Sequence, residues 1–188
     1  ALVSWPSEQV CKCLVFYHPD DAPALRLAQE LKLQELWQAT RASGHELLLE
    51  IICPGALTAA GSDDAVVLRA IQRLYNLGIR PEWWKLAPMS EAGWDALALL
   101  IAARDPWCRG AVILGLNQPI EALAESFVKA SNSIVKGFMV GRSLWAEPSA
   151  RWLRRQCSDQ ELVDAVAHNF TTLSSAWAAR RPHATIAA

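Results

Sequence analysis

Residues 46–53 read ELLLEIIC. Apolar side chains fill the run apart from two glutamates, and apolar and polar residues do not alternate. A strand with one face in water alternates, whereas one covered on both faces is apolar nearly throughout, as in parallel sheets with helical crossovers. The run therefore predicts a strand of a parallel sheet, and Glu50 at its centre is an exception that needs a reason.

Similar short runs recur along the chain. The predicted strands are Lys12–His18 (KCLVFYH), Glu46–Cys53, Glu82–Ala87 (EWWKLA), Ala111–Leu116 (AVILGL) and Val135–Gly141 (VKGFMVG). Stretches with helical periodicity separate them. Residues 22–43, APALRLAQELKLQELWQATRAS, place Leu25, Ala28, Leu31, Glu35 and Ala39 on one path with Leu36 beside it, and Gly44 is a fitting C-terminal glycine. A second helix follows Ser62-Asp63-Asp64 and closes at Gly78. Ser90 caps a third that runs to about Arg104. Asn117-Gln118-Pro119 opens a fourth, with proline at the first turn. Ser158-Asp159-Gln160-Glu161 is a capping box ahead of Leu162, Val166, Phe170, Leu173 and Trp177. Repeated strand–helix order makes an α/β protein with a parallel sheet. An open doubly wound sheet and part of a (β/α)8 barrel both fit this spacing. Residues 1–180 are expected to form the folded domain and residues 181–188 a frayed tail.

At 188 residues, 52% hydrophobic and 20% charged, the chain suits one well-packed domain. A net charge of −1 and the lack of any dense basic run exclude nucleic acid and acidic membrane surfaces as expected partners. Cys11, Cys13, Cys53, Cys108 and Cys157 form no CxxC pair. Cys11 and Cys13 share a strand face and could touch a metal, but free buried thiols are the favoured reading, which fits a reducing cytoplasm. No apolar run approaches the roughly 18 residues of a membrane span, and no signal peptide is visible. The chain opens at Ala1 in mid-pattern and is expected to be a piece of a longer polypeptide. There is no GxGxxG after the first strand and no GxxxxGK[ST], which argues against a Rossmann or P-loop protein.

The charges inside the strands carry the chemistry. Alternation puts Glu46, Leu48, Glu50 and Ile52 on one face, and Trp83, Lys85 and Ala87 on another, with Trp84 turned to the helices. If both faces share an interior, Glu50 and Lys85 meet there, because a buried carboxylate and ammonium must pair. One reading is a structural ion pair. The other is a nucleophile: a neutral lysine adds to a carbonyl and forms a Schiff base, Glu50 moves protons, and Lys12 is the second cation that keeps the amine neutral. Gly115 and Gly141, at the ends of later strands, would let backbone N–H groups approach an anion, and Arg142 offers a guanidinium to phosphate. Turn-making glycines and a surface arginine are the alternative. Trp37, Trp94, Trp152 and Trp177 read as core. His18 could line a site but is better taken as a surface residue, and His45, His168 and His183 have no triad-like company.

The motifs CKCLVFYHPDD, HELLLEIICP, PEWWKLAP, AVILGLNQP and VKGFMVGRSLWAEP closely resemble the C-terminal aldolase-like domain, a domain of unknown function, fused to bacterial 5-dehydro-2-deoxygluconokinase in inositol catabolism. The resemblance runs from about Trp5 to Arg180. More distantly, the strand-end motifs look like those of class I tagatose-bisphosphate aldolases. The resemblance implies a (β/α)8 barrel family, with these strands as the fourth to eighth. It implies Lys85 as the Schiff-base lysine, with Glu50 and Lys12 beside it, and Gly115, Gly141 and Arg142 at the substrate phosphate, Trp145 completing the motif. The aldolases follow their lysine with Val-Glu, where this chain has Leu86-Ala87. The implied activity is cleavage of 6-phospho-5-dehydro-2-deoxygluconate to dihydroxyacetone phosphate and malonate semialdehyde, with no cofactor. The implied partners are the phosphorylated sugar and an N-terminal sugar-kinase domain, with a homo-oligomer possible. A degenerate sugar-phosphate-binding or regulatory module is the alternative.

Overall fold

In the computed structural model, residues 2–58 and 61–182 are described. Of the expected tail, residues 183–188, with His183, lie outside them. The principal sheet comprises β1 (Cys11–Phe16), β2 (Leu47–Ile52), β5 (Trp83–Leu86), β6 (Gly110–Leu114) and β7 (Val135–Met139). All are parallel and lie side by side in chain order. A short antiparallel pair, β3 (Leu57–Thr58) and β4 (Gly61–Ser62), interrupts the β2 crossover. The strands end earlier than expected. Tyr17, His18, Gly115, Leu116, Val140 and Gly141 lie in the loops after the strands, where the chain turns towards the helices.

The helices are α1 (Pro23–Ser43), α2 (Asp64–Asn76), α3 (Glu91–Arg104), α4 (Ile120–Lys129), α5 (Arg142–Leu153) and α6 (Asp159–Ala179). Their ends follow the capping chemistry. Gly44 closes α1 at φ 72°, Asp63 accepts the N–H groups of Ala65 and Val66, and Ser90 accepts that of Gly93. The Ser158–Glu161 capping box opens α6. Pro119 is the N-cap of α4 rather than a residue of its first turn.

Consecutive order joined by crossovers of one hand puts every helix on the same side of the sheet. The doubly wound alternative requires a reversal of strand order, and none occurs. Alternate strand residues accordingly enter one core: Leu49 and Ile51 from β2, Trp84 and Leu86 from β5, Ala111 and Ile113 from β6. They meet Leu33 of α1, Ile71 and Leu74 of α2, Trp94 and Leu97 of α3, Phe127 of α4 and Leu173 of α6. Trp84 is fully buried, stands edge-on to Tyr75 at 5.6 Å and donates its indole N–H to the Tyr75 hydroxyl at 2.9 Å.

Among the described residues, the other face carries no helix. Val10 and Lys12 at the β1 edge, and Met139 at the β7 edge, line one cavity of about 310 Å³ with Leu48, Trp83 and Val112. Residues of both edge strands thus look into the same space, and the sheet curls into a trough. At its lower end Glu46 pairs with Arg109 and accepts the Trp83 indole N–H, while Glu82 pairs with Arg41 and accepts the Leu47 N–H. Among the described residues, no helix is long and apolar enough to cross a membrane.

Two packing expectations are corrected. The α1 path through Leu25, Ala28, Leu31, Glu35 and Ala39 faces outward, and Glu30, Leu33 and Thr40 are the buried positions. A buried carboxylate sets that rotation. Glu30, 3% exposed, accepts the Tyr17 hydroxyl at 2.7 Å and both nitrogens offered by Arg73 at 2.5 and 3.0 Å. Trp152 is 41% exposed and donates to Asp159 instead of joining the core, because Arg154–Ser158 turns the chain away there. Trp94 is fully buried, and Trp37 and Trp177 pack against the core as expected.

Candidate functional site

The register of the central strands sets Leu14, Glu50, Lys85 and Val112 in a row across β1, β2, β5 and β6. Because Glu50 and Lys85 are direct neighbours on the trough face, their side chains converge, and Lys85 Nζ lies 3.2 Å from Glu50 Oε2. Lys12 stands one pair earlier on β1, beside Leu48, and its Nζ reaches the same oxygen at 2.6 Å. One carboxylate thus bridges two ammonium groups. The side chains of Glu50 and Lys85 are 9% and 13% exposed, whereas that of Lys12 is 43% exposed. The pair is inside the protein, and Lys12 approaches it from the open edge.

Above this row, at the C-terminal ends of the strands, lies a cleft of about 150 Å³. Leu14, Phe16 and Ile52 form one wall, Glu50 and Lys85 the floor, and Leu114–Asn117, Met139 and Gly141–Ser143 the other wall. Lys85, Glu50, Gly115, Gly141 and Arg142 are therefore brought to one cavity, and Lys12 joins through Glu50. Arg142 opens α5, and among the described residues no ion pair engages it. Lys12 and Lys85 share the Glu50 carboxylate and Arg142 lines the same cleft, so among the described residues the site has surplus positive charge.

The expected role of Gly115 changes. A Cβ there would lie 2.7 Å from Val140 Cγ1 and 2.9 Å from Ser143 Oγ. Internal packing of the β6 end against the start of α5 already requires glycine, with or without an anion. A Cβ at Gly141 would meet only the Trp145 indole nitrogen, at an ordinary 3.5 Å. His18 does not line the cleft; its Nδ1 accepts the Asp20 N–H.

Sequence reasoning missed Leu14, Phe16, Asn117 and Ser143. The alternation that placed Lys12 on the trough face assigns Leu14 and Phe16 to it as well. Ser143 directly follows Arg142. Asn117 reads in sequence only as a helix opener, and no local pattern marks it as a cleft residue.

The all-parallel βα sheet, with strand-end loops around a cleft at the C-terminal ends of its strands, is the architecture of an α/β protein built from βα repeats. The chain belongs to the family of uncharacterized proteins conserved in bacteria known as DUF2090, whose model matches residues 1–181. No curated protein matches it.

Proposed function

We propose that this protein is a carbon–carbon lyase of the class I, Schiff-base type, acting on a phosphorylated keto sugar acid. The proposed substrate is 6-phospho-5-dehydro-2-deoxygluconate. On this reading the sheet corresponds to strands four to eight of a (β/α)8 barrel, in a cytoplasmic polypeptide that also carries a 5-dehydro-2-deoxygluconokinase domain. The observation that carries the proposal is Lys85. It is a mostly buried amine bonded to a carboxylate, on the floor of a cleft that the Arg142 guanidinium also lines. The motif resemblance supports the choice of substrate.

In the proposed reaction Lys85 passes a proton to Glu50, its Nζ then adds as the free amine to the keto carbon, and Glu50 returns and relays the protons that let the carbinolamine lose water. A base then takes the proton of the hydroxyl on the β-carbon of the resulting iminium. The bond between the α- and β-carbons breaks, its electrons pass to the iminium nitrogen, and the β-carbon leaves as the aldehyde of malonate semialdehyde. Protonation of the enamine carbon and hydrolysis release dihydroxyacetone phosphate and restore the lysine. Arg142 and the backbone around Gly141 hold the phosphate.

Borohydride reduction in the presence of substrate tests this. Wild type is expected to gain a covalent adduct mapped to Lys85, and Lys85→Ala none. No adduct on wild type, or an undiminished one on the variant, would sink the assignment.

One observation favours a second reading, a sugar-phosphate-binding regulatory domain without turnover. Among the described residues lining the cleft Glu50 is the only one with a carboxyl group, and it already serves two lysines. Phosphate-ester binding that survives Lys85→Ala, with no cleavage by wild type, would select it.

A further inference from the structure

Among the described residues, five polar side chains line the cleft: Glu50, Lys85, Asn117, Arg142 and Ser143. Glu50 and Lys85 bond each other, and Ser143 Oγ donates to the Gly115 carbonyl at 3.4 Å. Among the described residues no hydrogen bond or ion pair engages the side chains of Asn117 and Arg142; both are exposed at the cleft, where a ligand entering from solvent meets them.

Asn117 sits in an unusual turn. The Gln118 N–H bonds the Gly115 carbonyl at 2.9 Å, and both central residues have positive φ, 49° at Leu116 and 61° at Asn117. Turns with two such residues usually carry glycine, asparagine or aspartate at the centre. Asparagine tolerates the conformation; leucine at the preceding position costs about 1–2 kcal/mol. Such strain persists only where the surroundings impose it, and it clusters at ligand-binding positions. Here the Gly115 carbonyl is tied twice, to Gln118 and to Ser143 at the start of α5, so the turn is fastened beside Arg142.

We infer that Asn117 is a specificity-determining residue of this cleft, whose amide hydrogen-bonds a hydroxyl on the carbon chain of a phosphate monoester while Arg142 holds the phosphate. The two unengaged groups are chemically different. A guanidinium suits an anion, whereas an uncharged amide discriminates between a hydroxylated chain and a bare one. The inference rests on reading the cleft as a sugar-phosphate site but does not need the lyase chemistry.

Two probes separate the roles: inorganic phosphate, which offers only the anion, and glycerol 3-phosphate, which adds hydroxyls but has no carbonyl to condense with Lys85. Calorimetric titration of wild type and Asn117→Gly is the experiment. Glycine accepts a φ of 61°, so the variant keeps the turn, and its melting temperature should equal or exceed that of wild type. The variant is expected to bind glycerol 3-phosphate about fivefold more weakly, the loss of one hydrogen bond, with phosphate binding unchanged. Equal weakening of both probes, no change in either, or no binding of either probe by wild type would overturn the inference. An absent borohydride adduct would defeat the lyase proposal and leave this result untouched.

Discussion

Glu50 and Lys85 stand directly opposite each other on β2 and β5, and their charges meet at 3.2 Å with little access to water. Removing the carboxylate leaves two ammonium groups facing each other without a counter-ion. Glu50→Ala is expected to destabilise the fold by about 2–4 kcal/mol, close to the range for breaking a buried pair. Lys12→Ala, which removes a partner 43% exposed, should cost no more than about 1 kcal/mol. Urea unfolding of the two variants checks the order; equal costs would show that burial does not separate the lysines.

Glycine at position 115 is required by Val140 and Ser143, whereas a Cβ at Gly137 would meet nothing within 4 Å. Gly115→Ala must push the start of α5 away from β6, at a cost of about 1–3 kcal/mol, and should weaken phosphate binding with it. Gly137→Ala should be neutral or slightly stabilising. Melting temperatures and phosphate titration of both variants decide the matter.

The buried cluster beneath the β1–α1 loop predicts a response to pH. Burial pushes the Glu30 carboxyl up, but hydrogen bonds from Arg73 and Tyr17 outweigh it and hold the group below its ordinary value of 4.5. Its stabilising contribution is therefore complete above pH 4.5 and is lost as pH falls through the lowered value. Tyr17, pushed from 10.0 up to about 12 by burial and by Glu30, gives the opposite limb, lost as pH rises through that interval. Glu30→Gln should lower stability at neutral pH by about 2–3 kcal/mol and flatten the acid limb of the stability profile. An acid limb as steep as that of wild type would contradict this.

The rotation of α1 can be tested with two leucines. Leu33 is 4% exposed and Leu31 is 50% exposed. Leu33→Ala should cost about 2–4 kcal/mol and Leu31→Ala less than about 0.5 kcal/mol in chemical denaturation. The sequence path through Leu31 requires the reverse order.

How far the chain was legible depends on what each feature obeys. The parallel strands and the caps of α1, α2, α3 and α6 follow local rules, the apolar runs and the Asp63, Ser90 and Ser158 side chains, and they were readable. Glu50 and Lys85 were readable because charges inside such runs are expensive. The face of α1 was not: Leu25, Ala28 and Leu31 form a plausible stripe, and only the distant partners Tyr17 and Arg73 reveal that Glu30 points inward. Strand order, which rejects the doubly wound sheet, is a property of pairing and not of any one run. Leu116 and Asn117 were hidden because nothing in LGLNQP announces a leucine at positive φ.

The helix-free trough has a genetic consequence. Along β5, Trp84 and Leu86 belong to the core, while Trp83 and Lys85 face the open side. Tolerance to substitution should therefore oscillate with a period of two along each strand, scaffold and chemistry occupying alternate codons. Neighbouring codons then answer to different demands, so selection could rewrite what the trough binds while leaving every residue that holds the helices in place.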